Sequence, residues 1–267
     1  METKVAIAIG AHPDDIEFYM AGTLLLLKNA GFEAHYLNLA SGNCGSSKYH
    51  AATTRMMRKR EARAASKTLG ARFHPSLTND LEIVYDLKLL RQLAAVLRAV
   101  KPTLILTHSP QDYMEDHMNT CRLVVTAAFA RGMRNFKTVP PRPINGRDVT
   151  IYHAMPHGLR DELRCRVIPG CFVNTTSVHK LKRQALAVHQ SQHDWLQTSQ
   201  GFDSYVQSMD DLSLEVGLLS KRFQHAEGWR RHSHLGFCAQ QADPLRDALG
   251  GFYLLNKTYE RNLEKGI

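Results

Sequence analysis

Histidine and carboxylate recur together in two short stretches of this chain, and those residue types do metal and acid–base chemistry. The first stretch is Ala11-His12-Pro13-Asp14-Asp15-Ile16-Glu17. The second is His108-Ser109-Pro110-Gln111-Asp112-Tyr113-Met114-Glu115-Asp116-His117. Imidazole with carboxylate suits zinc and neighbouring transition ions. Two adjacent aspartates leave one carboxylate over as a general base for a bound water. Turn chemistry is the competing account, because Asp after Pro is common in turns and Asp14 or Asp15 can cap a following helix.

Buried strands must position both stretches. The apolar run over residues 5–9 predicts a strand buried on both faces, stopped by Gly10. Pro13 cannot continue a ladder and biases His12 toward extended backbone. His12, Asp14 and Asp15 are therefore expected on a tight loop at the C-terminal end of that strand, where open α/β sheets bind ligands. Residues 103–107, Thr-Leu-Ile-Leu-Thr, predict a second core strand, and the break after it puts the second stretch beside the first by the same topology. Helices are predicted at 20–29, 53–69, 86–100 and 117–131, with strands at 34–40 and 71–74. This alternation predicts a doubly wound α/β fold with a mostly parallel sheet. Farther on, the pattern predicts a strand at 148–154 and a segment at 172–176 that leads into a helix over 178–189, capped near Thr176 or Ser177. Helices at 205–224 and 245–263 follow. We expect one domain over 1–267, with a metal-site core in 1–135 and a strand-and-helix extension in 136–267 that completes the pocket.

Ala11-His12-Pro13-Asp14-Asp15 with Glu17, followed by Gly22-Thr23-Leu24, resembles the opening of the LmbE-like (PIG-L) deacetylases. The resemblance implies a Rossmann-like sheet flanked by helices and a zinc-dependent amidohydrolase. Such enzymes remove acetyl groups from N-acetylglucosaminyl and related amino-sugar conjugates. The family has an Asp followed, two residues on, by a His-Pro-Asp-His run whose last His completes the metal site. His117 matches that His, Asp116 the Asp before it, and Asp112 the upstream Asp. The resemblance thus implies one divalent ion, zinc or else Fe2+ or another transition metal, held by His12, Asp15 and His117. Asp14 is then the catalytic base, and Asp112 and Asp116 orient the histidines.

Three further matches imply substrate contacts. Arg58 in Arg58-x-x-Glu61 matches a basic residue near the substrate, with Arg55 and Arg60 as rivals. Lys182, Ala185-Leu186 and His189-Gln190-Ser191-Gln192 resemble a third family motif, which points His189 at the site. Ala226-Glu227-Gly228-Trp229 resembles an element close to the active site, which makes Glu227 a substrate-binding candidate. The chain departs from the family at Met114 and Glu115, which stand where the family has His and Pro. That His is a general acid or oxyanion contact, and a thioether cannot donate a hydrogen bond. His108, or His234 or His232, is expected to take its place in catalysis, or else the metal alone polarises the carbonyl.

Composition narrows the classes. Hydrophobic residues make up 43% of 267, ordinary for a soluble domain. No apolar run approaches the roughly 18–20 residues of a membrane span. Met1-Glu2-Thr3-Lys4 leads straight into a strand, which predicts no cleaved signal peptide. Five scattered cysteines without Cys-x-x-Cys predict neither a disulfide framework nor a thiolate metal site, and a cytoplasmic location. The formal charge of +9 raises a polyanion-binding alternative, but there is no basic tail, and nucleic acid is not expected as a partner. Arg and His near the predicted mouth suit an anionic group on a small N-acetylated sugar or glycoconjugate, and a homo-oligomer is allowed. A metal- and sugar-binding homologue that has lost turnover is the alternative motivated by Met114.

Overall fold

The structure, a computed structural model, describes residues 3–200 and 205–265, apart from the side chains of 194 and 197–200. Strand β1 (Val5–Gly10) is buried along its whole length. Its side chains alternate between two cores. Ile7 and Ile9 pack with Leu37, Ile105 and Ile151 on one face. Ala6 and Ala8 pack with Tyr36, Leu106 and Tyr152 on the other. A strand apolar on both faces is what a parallel sheet covered by helices requires.

The first half alternates as expected. After β1 come α1 (Asp15–Tyr19), α2 (Ala21–Asn29), β2 (Glu33–Asn38), α3 (Ala51–Leu69), β3 (Arg72–His74), α4 (Leu87–Val100), β4 (Leu104–Thr107) and α5 (Glu115–Phe129). The second half holds β5 (Thr150–Ala154), β6 (Cys171–Asn174), α6 (His179–Ala187), α7 (Gln190–Gln200), α8 (Tyr205–Ser220) and β7 (Ala226–Arg231). It closes with α9 (Pro244–Leu249), β8 (Tyr253–Leu255) and α10 (Lys257–Lys265).

These strands form one eight-stranded sheet in the order β3-β2-β1-β4-β5-β7-β6-β8. The pairs from β3 through β5 are parallel. Those joining β5 to β7, β7 to β6 and β6 to β8 are antiparallel. The chain winds from β1 outward to β2 and β3, then returns to place β4 on the other side of β1. The crevice at the C-terminal ends of β1 and β4 is therefore the switch point at which such sheets bind ligands.

Some local expectations need correction. The helix predicted at 20–29 is α2, and the sequence pattern missed the short α1 before it, which buries Ile16 and Phe18 and is C-capped by Met20. The predicted tail helix is interrupted: Gly250 sits at φ 51° and Gly250-Gly251 ends α9, so β8 can pair with β6. Asp243 ties this region together, accepting from the Tyr152 hydroxyl at 2.7 Å and the Tyr253 hydroxyl at 2.8 Å. Neither Thr176 nor Ser177 caps α6, whose N-cap residue is Val178. Among the described residues, no helix is long and apolar enough to cross a membrane.

Part of the positive charge is internal. Buried Arg98 donates to the carbonyls of Ala130, Arg131 and Met133, and buried Arg131 to those of Ala128, Gly236, Phe237 and Arg147. These guanidiniums fasten loops and do not face a partner.

The start of α2 is fixed by close approach at Gly22. A Cβ there would overlap Thr175 Cγ2 and lie 2.9 Å from Glu227 Oε1. Gly22→Ala is therefore expected to destabilise the fold by about 1–3 kcal/mol, read as a lowered midpoint in denaturant unfolding.

Candidate active site

Pro13 and the abrupt start of α1 turn both aspartates of the first loop inward. Asp14 adopts φ 112°, a conformation that a non-glycine residue holds only at a cost of order 1–3 kcal/mol. Its side chain makes no helix cap. The carboxylate instead accepts a short hydrogen bond from the Tyr205 hydroxyl and lies 3.7 Å from the Arg58 guanidinium. The turn-chemistry account therefore fails for Asp14. The strain is spent on aiming a buried carboxylate.

Asp15 faces His117 and His12, with His108 Nε2 behind it, 3.1 Å from Oδ2. Its Oδ1 is 3.3 Å from His117 Nε2, and its Oδ2 is 3.5 Å from His12 Nδ1. The far nitrogen of each ring is held by another carboxylate. Asp112 lies 3.1 Å from His117 Nδ1, and Asp116 lies 2.9 Å from His12 Nε2. Asp112 also accepts from the Met114 amide and Asp116 from the Leu81 amide, so neither carboxylate can swing away. A carboxylate behind each imidazole fixes its orientation and raises its basicity, the usual support of a metal-binding histidine.

Titration in the absence of a metal reflects this crowding of acceptors. Burial disfavours the charged form of His117, but Asp15 and Asp112 outweigh it and push the imidazolium up to about 10. Burial also opposes charge on His12, and Asp116 and Asp15 lift it to about 9. Asp15 is held well below the usual carboxylate range, because His117 and His108 overcome its burial. Asp14 moves the other way: burial raises it, only partly offset by Arg58. One aspartate is thus kept anionic beside the two histidines and its neighbour is made more basic, as a ligand and a base require.

The donor set fits a divalent metal. Ligand atoms of His12, Asp15 and His117 lie within 4.8 Å of one another. Two imidazoles and a carboxylate form a hard-to-borderline set suited to zinc or Fe2+. The three line a cavity of about 480 Å³ together with Asp14 and Arg58. Much of the remaining wall is apolar, including Phe18, Tyr19, Tyr113, Met114, Trp195 and Leu196.

The other expected residues fall in different places. Arg58 reaches the cavity, yet it is buried and committed, donating to Pro13 O at 2.7 Å and Gln192 Oε1 at 2.5 Å. It holds Asp14 and its loop and offers no free charge at a mouth. His108 lies behind the site. Its ring stacks on His117 at 4.0 Å and its Nε2 accepts from the Ala11 amide, outside the cavity wall. His189 is buried with Nε2 3.5 Å from Glu17 and does not line the cavity.

Glu227 is structural. It accepts from the amides of Gly22 and Thr23 and pairs with buried Lys182 at 2.8 Å, locking the start of α2. His234 is excluded by topology. β7 runs antiparallel to β5, with Tyr152 opposite Arg231, so the chain past Arg231 emerges at the opposite edge of the sheet. His232 sits beside Ile151 of β5, its ring 3.0 Å from His153, and does not line the cavity.

Sequence reasoning missed Tyr205, the hydroxyl donor to Asp14. Its separation from Asp14 by 191 residues left no spacing signal.

Three outcomes are expected. His12→Ala or His117→Ala loses bound metal, measured by elemental analysis, while Asp14→Asn retains it. Metal binding must displace protons from His12 and His117, so apparent affinity in a competition titration rises with pH until about 9–10 and levels above. Glu227→Gln leaves Lys182 buried beside a neutral partner and costs about 3–5 kcal/mol in unfolding, with the metal stoichiometry of the folded protein unchanged.

The description GlcNAc-PI de-N-acetylase (PIG-L) matches residues 7–128. A diacetylchitobiose deacetylase of Thermococcus kodakarensis is 25% identical over 198 residues, covering 72% of this chain and 71% of its own. A 4-oxalmesaconate hydratase of Pseudomonas putida is 29% identical over 201 residues, covering 72% and 76%. Among solved structures, the P. putida 4-carboxy-2-hydroxymuconate hydratase superposes with TM-score 0.72 at 25% identity, covering 86% of this chain and 96% of that one. The N,N'-diacetylchitobiose deacetylase of Pyrococcus horikoshii gives 0.71 at 22% identity, covering 91% and 89%, a likeness of fold. The PIG-L match over residues 7–128 takes in both His/Asp loops and strands β1 to β4, so the part of the chain that carries the candidate metal site is the part similar to that family.

Proposed function

We propose that this protein is a metal-dependent deacetylase that hydrolyses the N-acetyl group of an amino sugar or related glycoconjugate. The carrying observation is Asp14, a buried carboxylate strained toward the cavity beside the His12, Asp15 and His117 donors. Those three residues would hold the ion. Bound there, a divalent ion supplies a Lewis acid that polarises the acetyl carbonyl and acidifies water.

The chain's own residues do the rest. Asp14, made more basic by burial, takes the proton from the attacking water. Tyr205 and Arg58 fix the direction of its carboxylate. The proton held at Asp14 is then delivered to the departing amine nitrogen, which leaves as the free amino sugar beside acetate. The aromatic wall offers faces for a sugar ring and excludes bulk water. The deacetylases among the relatives support this class of reaction.

A second reading is hydration of an unsaturated polycarboxylate, supported by the 29% identical hydratase and by Met114 in the cavity wall. Against it, Arg58 is the one Lys or Arg lining the cavity among the described residues, and it is already paired. A polyanionic substrate would find little unpaired positive charge.

Amine release from N-acetylated sugars and loss of absorbance from unsaturated polycarboxylates, measured on the same metal-loaded protein, separate the two. The expected result is amine release that falls on the order of 10²–10⁴-fold in Asp14→Asn with metal retained. Absorbance loss without amine would install the hydratase reading in its place. Neither signal from fully loaded protein would leave a metal-binding homologue without turnover.

A further inference from the structure

The site described so far draws on the loops after β1 and β4. A third loop leaves the same edge of the sheet. β5 runs parallel to β4, with Thr107 opposite His153, so the segment after Ala154 emerges beside the other two. That segment is Met155-Pro156-His157-Gly158-Leu159, and His157 lines the cavity.

The backbone here is unusual. Gly158 and Leu159 occupy the left-handed region consecutively, at φ 65° and 53°. For a leucine that conformation is costly, and Leu159 is almost fully buried. Its burial anchors the turn, as do hydrogen bonds from Leu159 N to Pro156 O at 3.0 Å and from Val167 N to Leu159 O at 2.9 Å. Strain held in place by packing on both sides presents one side chain in a fixed direction, and that side chain is His157.

The ring itself is uncommitted. It meets Phe18 edge-on at 5.6 Å and Tyr113 at 6.4 Å. Among the described residues, no hydrogen bond or ion pair reaches either ring nitrogen. The cavity's other histidines, His12 and His117, are each held by carboxylates. A neutral imidazole carries one donor and one acceptor, and leaving both unused at a half-buried position costs free energy unless water or a ligand takes them. Burial lowers the basicity of this ring, which favours that neutral form. Met114, in the same wall, offers only a weak sulfur acceptor.

We propose that His157 is a substrate-contacting residue whose ring nitrogen donates a hydrogen bond to a polar group of the bound substrate, the contact that Met114 cannot make. The proposal takes its substrate class, an N-acetylated sugar, from the deacetylase reading.

His157→Phe keeps the ring packing and removes both nitrogens, and His157→Gln keeps a donor. Both are measured against wild type for metal content, melting temperature, amine release from N-acetylglucosamine and N,N'-diacetylchitobiose, and calorimetric binding of the same sugars. The expected result is unchanged metal and melting temperature. In His157→Phe, kcat/KM falls on the order of 10²-fold and sugar affinity falls about 3–10-fold, with partial recovery in His157→Gln. His157→Phe within twofold of wild type in turnover and binding would overturn the proposal and leave the deacetylase reading standing. Sugar binding weakened in His157→Phe, with no amine released by any form, would support the contact and overturn the deacetylase reading. A wild type that neither binds nor cleaves these sugars would overturn both.

Discussion

The Asp15 carboxylate between two imidazoles is the interaction on which this site depends. Alone, burying that carboxylate would be costly, and burying two charged imidazoles beside it more so. Together, with Asp112 and Asp116 behind the rings, they form a set with more negative than positive capacity. Such a set is relieved by a cation, either protons on the histidines or a divalent metal in their place. The same imbalance sets the two adjacent aspartates apart. Asp15 stays anionic because His117 and His108 face it, whereas Asp14, one residue earlier, is raised by burial that Arg58 and the Tyr205 hydroxyl only partly offset.

That separation needs a backbone no regular element supplies. Asp14 cannot point into the cavity from an ordinary helix cap, so the loop takes a positive φ at a non-glycine residue. Contacts from distant parts of the chain hold it there: Tyr205 from α8, Arg58 from α3 through Pro13 O, and Gln192 from α7 through Arg58. Below them, Glu17 accepts from Tyr36 and lies against His189. The second half of the chain thus secures a loop whose reactive groups come from the first.

The sheet explains which histidines join the site. Parallel strands β1, β4 and β5 deliver their following loops to one edge, and His12, His117 and His157 reach the cavity from there. Strand β7 runs the opposite way, so the chain through His232 and His234 is carried away from that edge, and neither lines the cavity. Glu227, near the start of β7, is at the right edge but is consumed by Gly22, Thr23 and Lys182.

Much of this was legible in the sequence. The β1 and β4 runs, their breaks and the His/Asp clusters after them determined a parallel α/β sheet with a metal-type cluster at its switch point, because burial on both faces and chain-breaking residues are local properties. The roles of His108, His189, Glu227 and His234 were not legible. Each was a polar residue in a suggestive motif, and only packing decided whether it faced the cavity, a backbone amide or the opposite edge. Tyr205 and His157 were invisible for the same reason: a hydroxyl 191 residues from its partner, and a histidine aimed by a strained turn, acquire meaning only when strand direction and burial fix where they point.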